Sequence, residues 1–277
     1  MVQIITDSST LFTEEEAKAM GIEVLPLCVN IGELEGRDLQ IDMEDFYDRI
    51  EKGGIPKSSQ PPIGEVMDVY EKYPDDEIIN IAMADGLSGT YQSACGAREM
   101  VDNKENITVI NTKTLCGPHR YMVKKAQQMK NAGKTAKEII AWLEKAKESH
   151  ESFLIPQDFA FLRRGGRLTP MAATFASTLK LKPIMTQVEE GRRLDKYAIK
   201  RNMKQAVGAV IERLKKRGID AKHIIYVSHA NALEDAKKVI EQLKEHFVDV
   251  EIELLELGAA FVTQGGPKCI AIQYIEK

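Results

Sequence analysis

An apolar run, Ile78 to Ala84, ends in Asp85-Gly86 and passes through Leu87-Ser88-Gly89-Thr90 into a segment that reads as a helix to Val101. A strand that turns through glycine into a helix belongs to an alternating α/β chain. Strands linked by such crossovers run parallel, and a parallel sheet needs helices on both faces. The same junction carries chemistry. Backbone N–H groups at a helix N-terminus have no carbonyl partner within the helix, and the helix dipole favours negative charge there. Glycine lets a ligand approach the backbone, so the loop reads as an anion cradle. A second hydroxyl-rich turn, Lys57-Ser58-Ser59-Gln60-Pro61-Pro62, lies upstream. Two such loops point to one shared anionic ligand.

The alternation extends through the first half of the chain. Gln3 to Thr6 reads as a strand, Thr13 to Met20 as a helix with a Thr13-x-x-Glu16 capping box, and Ile22 to Ile31 as a second strand. Asp42 caps a helix to Glu51, and Pro62 opens one that runs through Tyr73. A strand from Ile107 to Asn111 precedes two helices, Pro118 to Asn131 and Thr135 to Glu148, separated by Gly133. The rhythm changes after Leu154. Pro183 to Val188 and Arg192 to Ile199 read as an antiparallel hairpin joined by Glu189-Glu190-Gly191. Helix and strand then alternate over 202–216, 223–227, 233–247 and 249–257, and a last strand covers Cys269 to Tyr274. The expected architecture is α/β in two domains. Residues 1–155 form a mostly parallel sheet covered on both faces, and 156–277 form an α/β domain with a mixed sheet.

Composition narrows the function. The 277 residues suit two domains, and 43% apolar with 29% charged residues is ordinary for a folded protein. A net charge of -4 and the lack of a basic run interleaved with aromatics argue against nucleic acid. The chain enters a strand at once, with no signal-peptide pattern and no bilayer-length apolar run, so a cytoplasmic location is expected. Cys28, Cys95, Cys116 and Cys269 are scattered and read as free thiols. The histidines show no zinc spacing, and no cofactor is expected.

Several patterns fail on inspection. Ser88 lies in G-L-S-G-T, but Thr90 stands where a nucleophile elbow needs its last glycine. A hydrolase would need His229, at a strand's end, as base. The plainer role for Ser88 is a helix N-cap. Gly133-Lys134-Thr135 ends like a P-loop, yet Gln128 occupies the first glycine position. No dinucleotide fingerprint follows a strand. Asp7-Ser8-Ser9-Thr10 is either a polar turn or a third wall of the crevice. Arg163, Arg164 and Arg167 surround Gly165-Gly166, which gives either a phosphate or partner contact or a solvated turn. Thr263-Gln264-Gly265-Gly266-Pro267 reads as another polar loop. Met171 to Leu181, rich in small residues, reads as core helix or as the wall of an acyl tunnel.

Five segments taken in order resemble the DegV family of bacterial fatty-acid-binding proteins: Ile4 to Ser9 (IITDSS), Lys57 to Pro61 (KSSQP), Gly86 to Ala94 (GLSGTYQSA), Phe161 to Leu168 (FLRRGGRL) and Leu181 to Ile184 (LKPI). The resemblance covers nearly the whole chain. It implies a fatty acid held between two domains, with its carboxylate on Ser58, Ser59, Ser88, Gly89, Thr90 and Gln264. It also implies a partner, an ATP-dependent fatty acid kinase that phosphorylates the carboxylate, with Arg163, Arg164 and Arg167 facing that kinase or the new phosphate. One departure stands out. Where the family reads T-H-x-G-P-G, this chain has Gln264 for the histidine and Lys268 for the last glycine. Glutamine still donates a hydrogen bond but carries neither proton nor charge. The leading expectation is a carrier without catalytic activity of its own. The alternatives are a Ser88/His229 serine hydrolase and a binding protein for another small carboxylate or phosphate.

Overall fold

The computed structural model describes residues 1–174 and 181–277. It divides the chain into two units, Met1–Glu148 and Ser149–Lys277. In the first unit, β1 (Val2–Asp7) leads through α1 (Glu14–Met20) to β2 (Glu23–Leu25), which pairs with β1 in parallel. The α1 capping box forms as the sequence predicts, with Thr13 and Glu16 each accepting the other's backbone N–H. The expected strand Ile22 to Ile31 is instead two. Pro26 has no N–H to give a ladder and interrupts it, so β3 (Cys28–Ile31) leaves for another sheet.

That second sheet is small and antiparallel, in the order β4-β3-β5, with β4 at Leu34–Arg37 and β5 at Lys57–Ser59. Between them α2 (Met43–Glu51) starts on Asp42, whose carboxylate accepts the N–H groups of Glu44 and Asp45. After β5 come α3 (Ile63–Glu71), β6 (Glu77–Ala82), α4 (Thr90–Met100), β7 (Ile107–Asn111), α5 (Cys116–Asn131) and α6 (Ala136–Ala146). The parallel sheet has the order β2-β1-β6-β7. Its central strand β6 is buried from Ile78 to Ala82, as a strand covered on both faces must be. Against one face, Val66 and Tyr70 of α3 and Ala94 and Ala97 of α4 pack on Ile5, Ile78 and Ile107. Fully burying one such aliphatic side chain contributes about 1.5–3 kcal/mol. The polar atoms in this layer are paired: Asn80 donates to the Tyr70 hydroxyl, which donates to the Ala94 carbonyl.

The second unit begins with β8 (His150–Ile155) and continues through α7 (Phe159–Gly165), α8 (Pro170–Ala173), β9 (Lys182–Val188), β10 (Arg193–Lys200), α9 (Met203–Arg217), β11 (His223–His229), α10 (Leu233–Lys244), β12 (Glu251–Glu256), α11 (Ala259–Gly265) and β13 (Ile270–Glu276). Its sheet has the order β10-β9-β8-β13-β11-β12 and is mixed, since only β11 and β12 pair in parallel. The division between units falls at the start of β8, whereas the expected boundary after residue 155 lies at its end. β8 pairs with β13, which groups it with the second unit. One face of this sheet is covered by Val207, Val210, Leu214, Val239 and Leu243 of α9 and α10. Phe159, Leu162, Leu168 and Ala172 pack on Met185 and Leu154. Of the expected apolar helix Met171 to Leu181, α8 covers the start, and residues 175–180 lie outside the described residues.

Candidate functional site

In the first unit the chain leaves β6 at Ala82, and its next three N–H groups are each held by a different element. Met83 donates to the Asp7 carboxylate (2.9 Å), Ala84 to the Thr114 carbonyl (2.8 Å) and Asp85 to the Asn111 side-chain oxygen (3.2 Å). Gly86 follows at φ +87°, a conformation open to glycine at no steric cost. Leu87 and Ser88 then turn back onto the Ala84 carbonyl.

Helix α4 starts on Gly89, which supplies no side-chain cap. Ser88 is therefore not the N-cap residue. Its hydroxyl sits one position earlier, accepts the Thr90 N–H (3.3 Å) and shares a 2.8 Å hydrogen bond with the Thr90 hydroxyl. Thr90 is buried, Ser88 half-buried and Gly89 exposed. Backbone N–H groups in the first turn of a helix have no acceptor within the helix itself, which is the property an anion site uses. Asp158 at α7 and Thr135 at α6 show what a capped start looks like, each accepting a first-turn N–H.

The Lys57–Pro62 segment is a strand at its start rather than a turn. β5 pairs with β3, so that Ser58 lies opposite Val29 and Ser59 opposite Cys28. Ser58 is half-buried and Ser59 exposed. Pro62 then opens α3. The two hydroxyl loops meet at Gln60: a side chain on Gly89 would begin 3.0 Å from Gln60 Oε1. Glycine at position 89 leaves room for this approach, which a larger residue would keep only if the Gln60 amide shifted. A separate groove of about 600 Å³ on this unit passes Phe12, Lys18, Ile22, Asp38 and Tyr73 and includes no residue of either loop.

In Asp7-Ser8-Ser9-Thr10 all four side chains are buried and bonded within the protein. Asp7 accepts the N–H groups of Ser9 and Met83. Ser8 donates to Asp38 and accepts from Leu27 N–H, and Thr10 donates to the Asp7 carbonyl. Ser9 meets His119 Nδ1 at 2.7 Å, and His119 Nε2 lies 3.0 Å from the Ile81 carbonyl. A carbonyl only accepts, so Nε2 carries the ring proton and the Ser9 hydroxyl donates to Nδ1. Burial holds His119 below the ordinary histidine range, against the pull of Asp7. This serine–histidine pair is sealed from substrate. No motif in the sequence marks His119, which lies 110 positions from Ser9.

In the second unit the arginine-rich segment is helical at its start. Arg163 and Arg164 belong to α7, which ends at Gly165, with Gly166 in the left-handed conformation as its C-cap. Arg163 and Arg164 are exposed, and Arg164 lies over the Phe161 ring. Arg167 is half-buried and donates to the Gly165 carbonyl, while Arg193 from β10 donates to the Gly166 carbonyl. Burial, and then the neighbouring Arg193, hold Arg167 below the ordinary arginine range.

The Thr263–Pro267 segment, expected as a loop, is helix α11 through Gly265. Thr263 donates to the Ala260 carbonyl and Gln264 Nε2 donates to Thr263. Gln264 Oε1 is buried and meets no protein donor. It lies against Gly165, so α11 and the end of α7 bring Gln264 beside the arginine-rich segment. Lys268 is exposed.

His229 is a poor base. Its Nδ1 accepts the Ala232 N–H at 3.3 Å, burial holds its pKa below the usual value, and the neutral ring then keeps its proton on Nε2. All four cysteines are free thiols. Among the described residues no cluster of three or more His, Cys, Asp and Glu side chains is placed to hold a metal ion. Among them, too, no helix is long and apolar enough to cross a membrane.

The family model described as "Uncharacterised protein, DegV family" matches residues 1–277. The chain is 31% identical over 278 residues to Protein DegV of Bacillus subtilis, with 98% of each covered. Among solved structures, it is similar to DegV of Bacillus subtilis, titled a fatty acid binding protein, with a TM-score of 0.86 at 31% identity over 100% of this chain and 99% of that one. It is also similar to a DegV family protein from Thermus thermophilus whose title reports fatty acid binding, with a TM-score of 0.90 at 25% identity and the same coverage.

Proposed function

The chain belongs to the DegV family, and on that premise we propose that it binds a long-chain fatty acid and is a carrier rather than a catalyst. The observation that supports this most is the meeting of the two hydroxyl loops at Gln60 and Gly89, beside an α4 N-terminus that lacks a side-chain cap. A carboxylate placed there receives hydrogen bonds from the Ser88 and Ser58 hydroxyls, with Ser59 and Thr90 flanking them. The backbone N–H at Gly89 adds to these. A helix N-terminus stabilises such a charge by about 0.3–1 kcal/mol at an exposed position, and hydrogen bonds to a charged group contribute about 1.5–3 kcal/mol each. The neutral hydroxyls and amides bind a single negative charge without excluding the neutral acyl chain behind it.

We further propose that the carrier presents the bound acid to an ATP-dependent fatty acid kinase, which forms the acyl phosphate. Exposed Arg163 and Arg164, with Arg167, are the groups we assign to the kinase surface or the transferred phosphate. Gln264 supplies no charge, and its buried Oε1 is an acceptor that a carboxylate has no proton to serve, so we leave it out of the head-group site. Titration of the delipidated protein with octadecanoic acid tests the binding step. Micromolar or tighter saturable binding supports it, and no heat or displacement signal removes it. Acyl phosphate formation in the presence of ATP and a fatty acid kinase, dependent on this protein, tests the second step.

A further inference from the structure

The loop that carries Ser88 and Gly89 is not held by its own residues. β6 lies between β1 and β7, and the last ladder pairs on either side are Thr6 with Ile81 and Ala82 with Asn111. Beyond them the backbone ladder ends, and the N–H groups of the departing chain need other acceptors. Ala84 N–H still reaches the Thr114 backbone carbonyl, and side chains hold its neighbours on both flanks. From β1, Asp7 Oδ2 accepts Met83 N–H, while its Oδ1 accepts Ser9 N–H. From β7, Asn111 Oδ1 accepts both Asp85 N–H and Lys113 N–H. Asp7 is buried and Asn111 half-buried.

We propose that Asp7 and Asn111 are positioning residues for the head-group loop: gripping the chain on both sides of Ala84, they fix where Ser88 and Gly89 stand when a carboxylate arrives. The proposal rests on the fatty-acid reading for its ligand. A preset loop spends no binding free energy on ordering, so loosening either grip weakens the acid more than a ligand that does not use the loop. The two side chains differ in what they tolerate. At position 7 both carboxylate oxygens accept N–H groups, so an amide there sets one N–H against another. At position 111 a single oxygen suffices, and a carboxylate of the same size serves as well.

The test uses the full-length protein and its Asp7→Asn, Asn111→Leu and Asn111→Asp variants, titrated with octadecanoic acid and with octadecan-1-ol. Asp7→Asn and Asn111→Leu each weaken the acid about tenfold, with the alcohol changed less than about twofold, and Asn111→Asp keeps the parent's acid affinity. Equal losses for acid and alcohol, no loss, or an Asn111→Asp variant as weak as Asn111→Leu would overturn the proposal. Amide hydrogen exchange, which needs no ligand, separates this failure from that of the fatty-acid reading. If the parent binds neither ligand, the fatty-acid reading falls. Faster exchange over residues 85–89 in Asn111→Leu but not in Asn111→Asp still supports the grip, and equal exchange in both overturns it. The Asn111 pair also decides the matter if Asp7→Asn does not fold.

Discussion

Gln264 Oε1 occupies the space where a side chain on Gly165 would begin: a Cβ there would lie 2.0 Å from it. The two residues come from α7 and α11 and bring the arginine-rich segment against Gln264. Gly165→Ala must push the Gln264 amide away and break its hydrogen bond to Thr263. Overpacking of this kind costs about 1–3 kcal/mol, against which the better helix propensity of alanine returns less than about 1 kcal/mol. Gly165→Ala alone lowers the melting temperature in calorimetry, and adding Gln264→Ala recovers most of the loss. Additive losses in the double variant would show that the contact is not the cause.

The Ser88 hydroxyl serves the loop as well as the ligand, because it accepts the N–H of buried Thr90. Ser88→Ala is predicted to cost about 1 kcal/mol of stability and to weaken fatty acid binding about tenfold. Ser58→Ala weakens binding in the same direction. Displacement of a fluorescent fatty acid measures both variants. Affinities equal to the parent's for both would remove the hydroxyl loops from the binding site.

His119 makes the first unit acid-sensitive. Burial lowers its folded pKa from the ordinary 6.5, so above that value both folded and unfolded states are neutral and its contribution is fully present. As pH falls through 6.5 the unfolded chain takes up a proton that the folded chain refuses. Stability is therefore lost toward low pH, at up to about 1.4 kcal/mol per pH unit until the folded pKa is reached. His119→Gln flattens this slope whatever it does to stability at pH 8. Urea unfolding between pH 5 and 8, followed by hydrogen exchange of β1 and β6, measures it. Equal slopes in both proteins would show that His119 does not carry the effect.

Local signals in the sequence predicted local structure well. The Thr13–Glu16 capping box forms, Thr135 caps α6, β7 spans Ile107–Asn111, and the β9–β10 hairpin closes through Glu189-Glu190-Gly191. What the sequence hid depends on distant partners. Ser58 and Ser59 read as a turn because the strand that pairs with them, β3, lies some thirty residues upstream. Ile22 to Ile31 reads as one strand because its apolar pattern runs through Pro26, and only the destinations of the two halves separate them. Thr263 to Pro267 reads as a loop because Gly265, Gly266 and Pro267 outweigh the helix that runs into it, whereas packing on α7 carries α11 through Gly265. The second function of the IITDSS segment, holding Met83, depends on a contact across 76 positions, which no local pattern encodes.

The central claim is that this chain carries a fatty acid, and native mass spectrometry of freshly purified protein addresses it most directly. The account predicts a species heavier than the 277-residue chain by the mass of one fatty acid, released on denaturation and restored by added octadecanoic acid. A single species at the mass of the bare chain, unchanged after incubation with the acid, would contradict it.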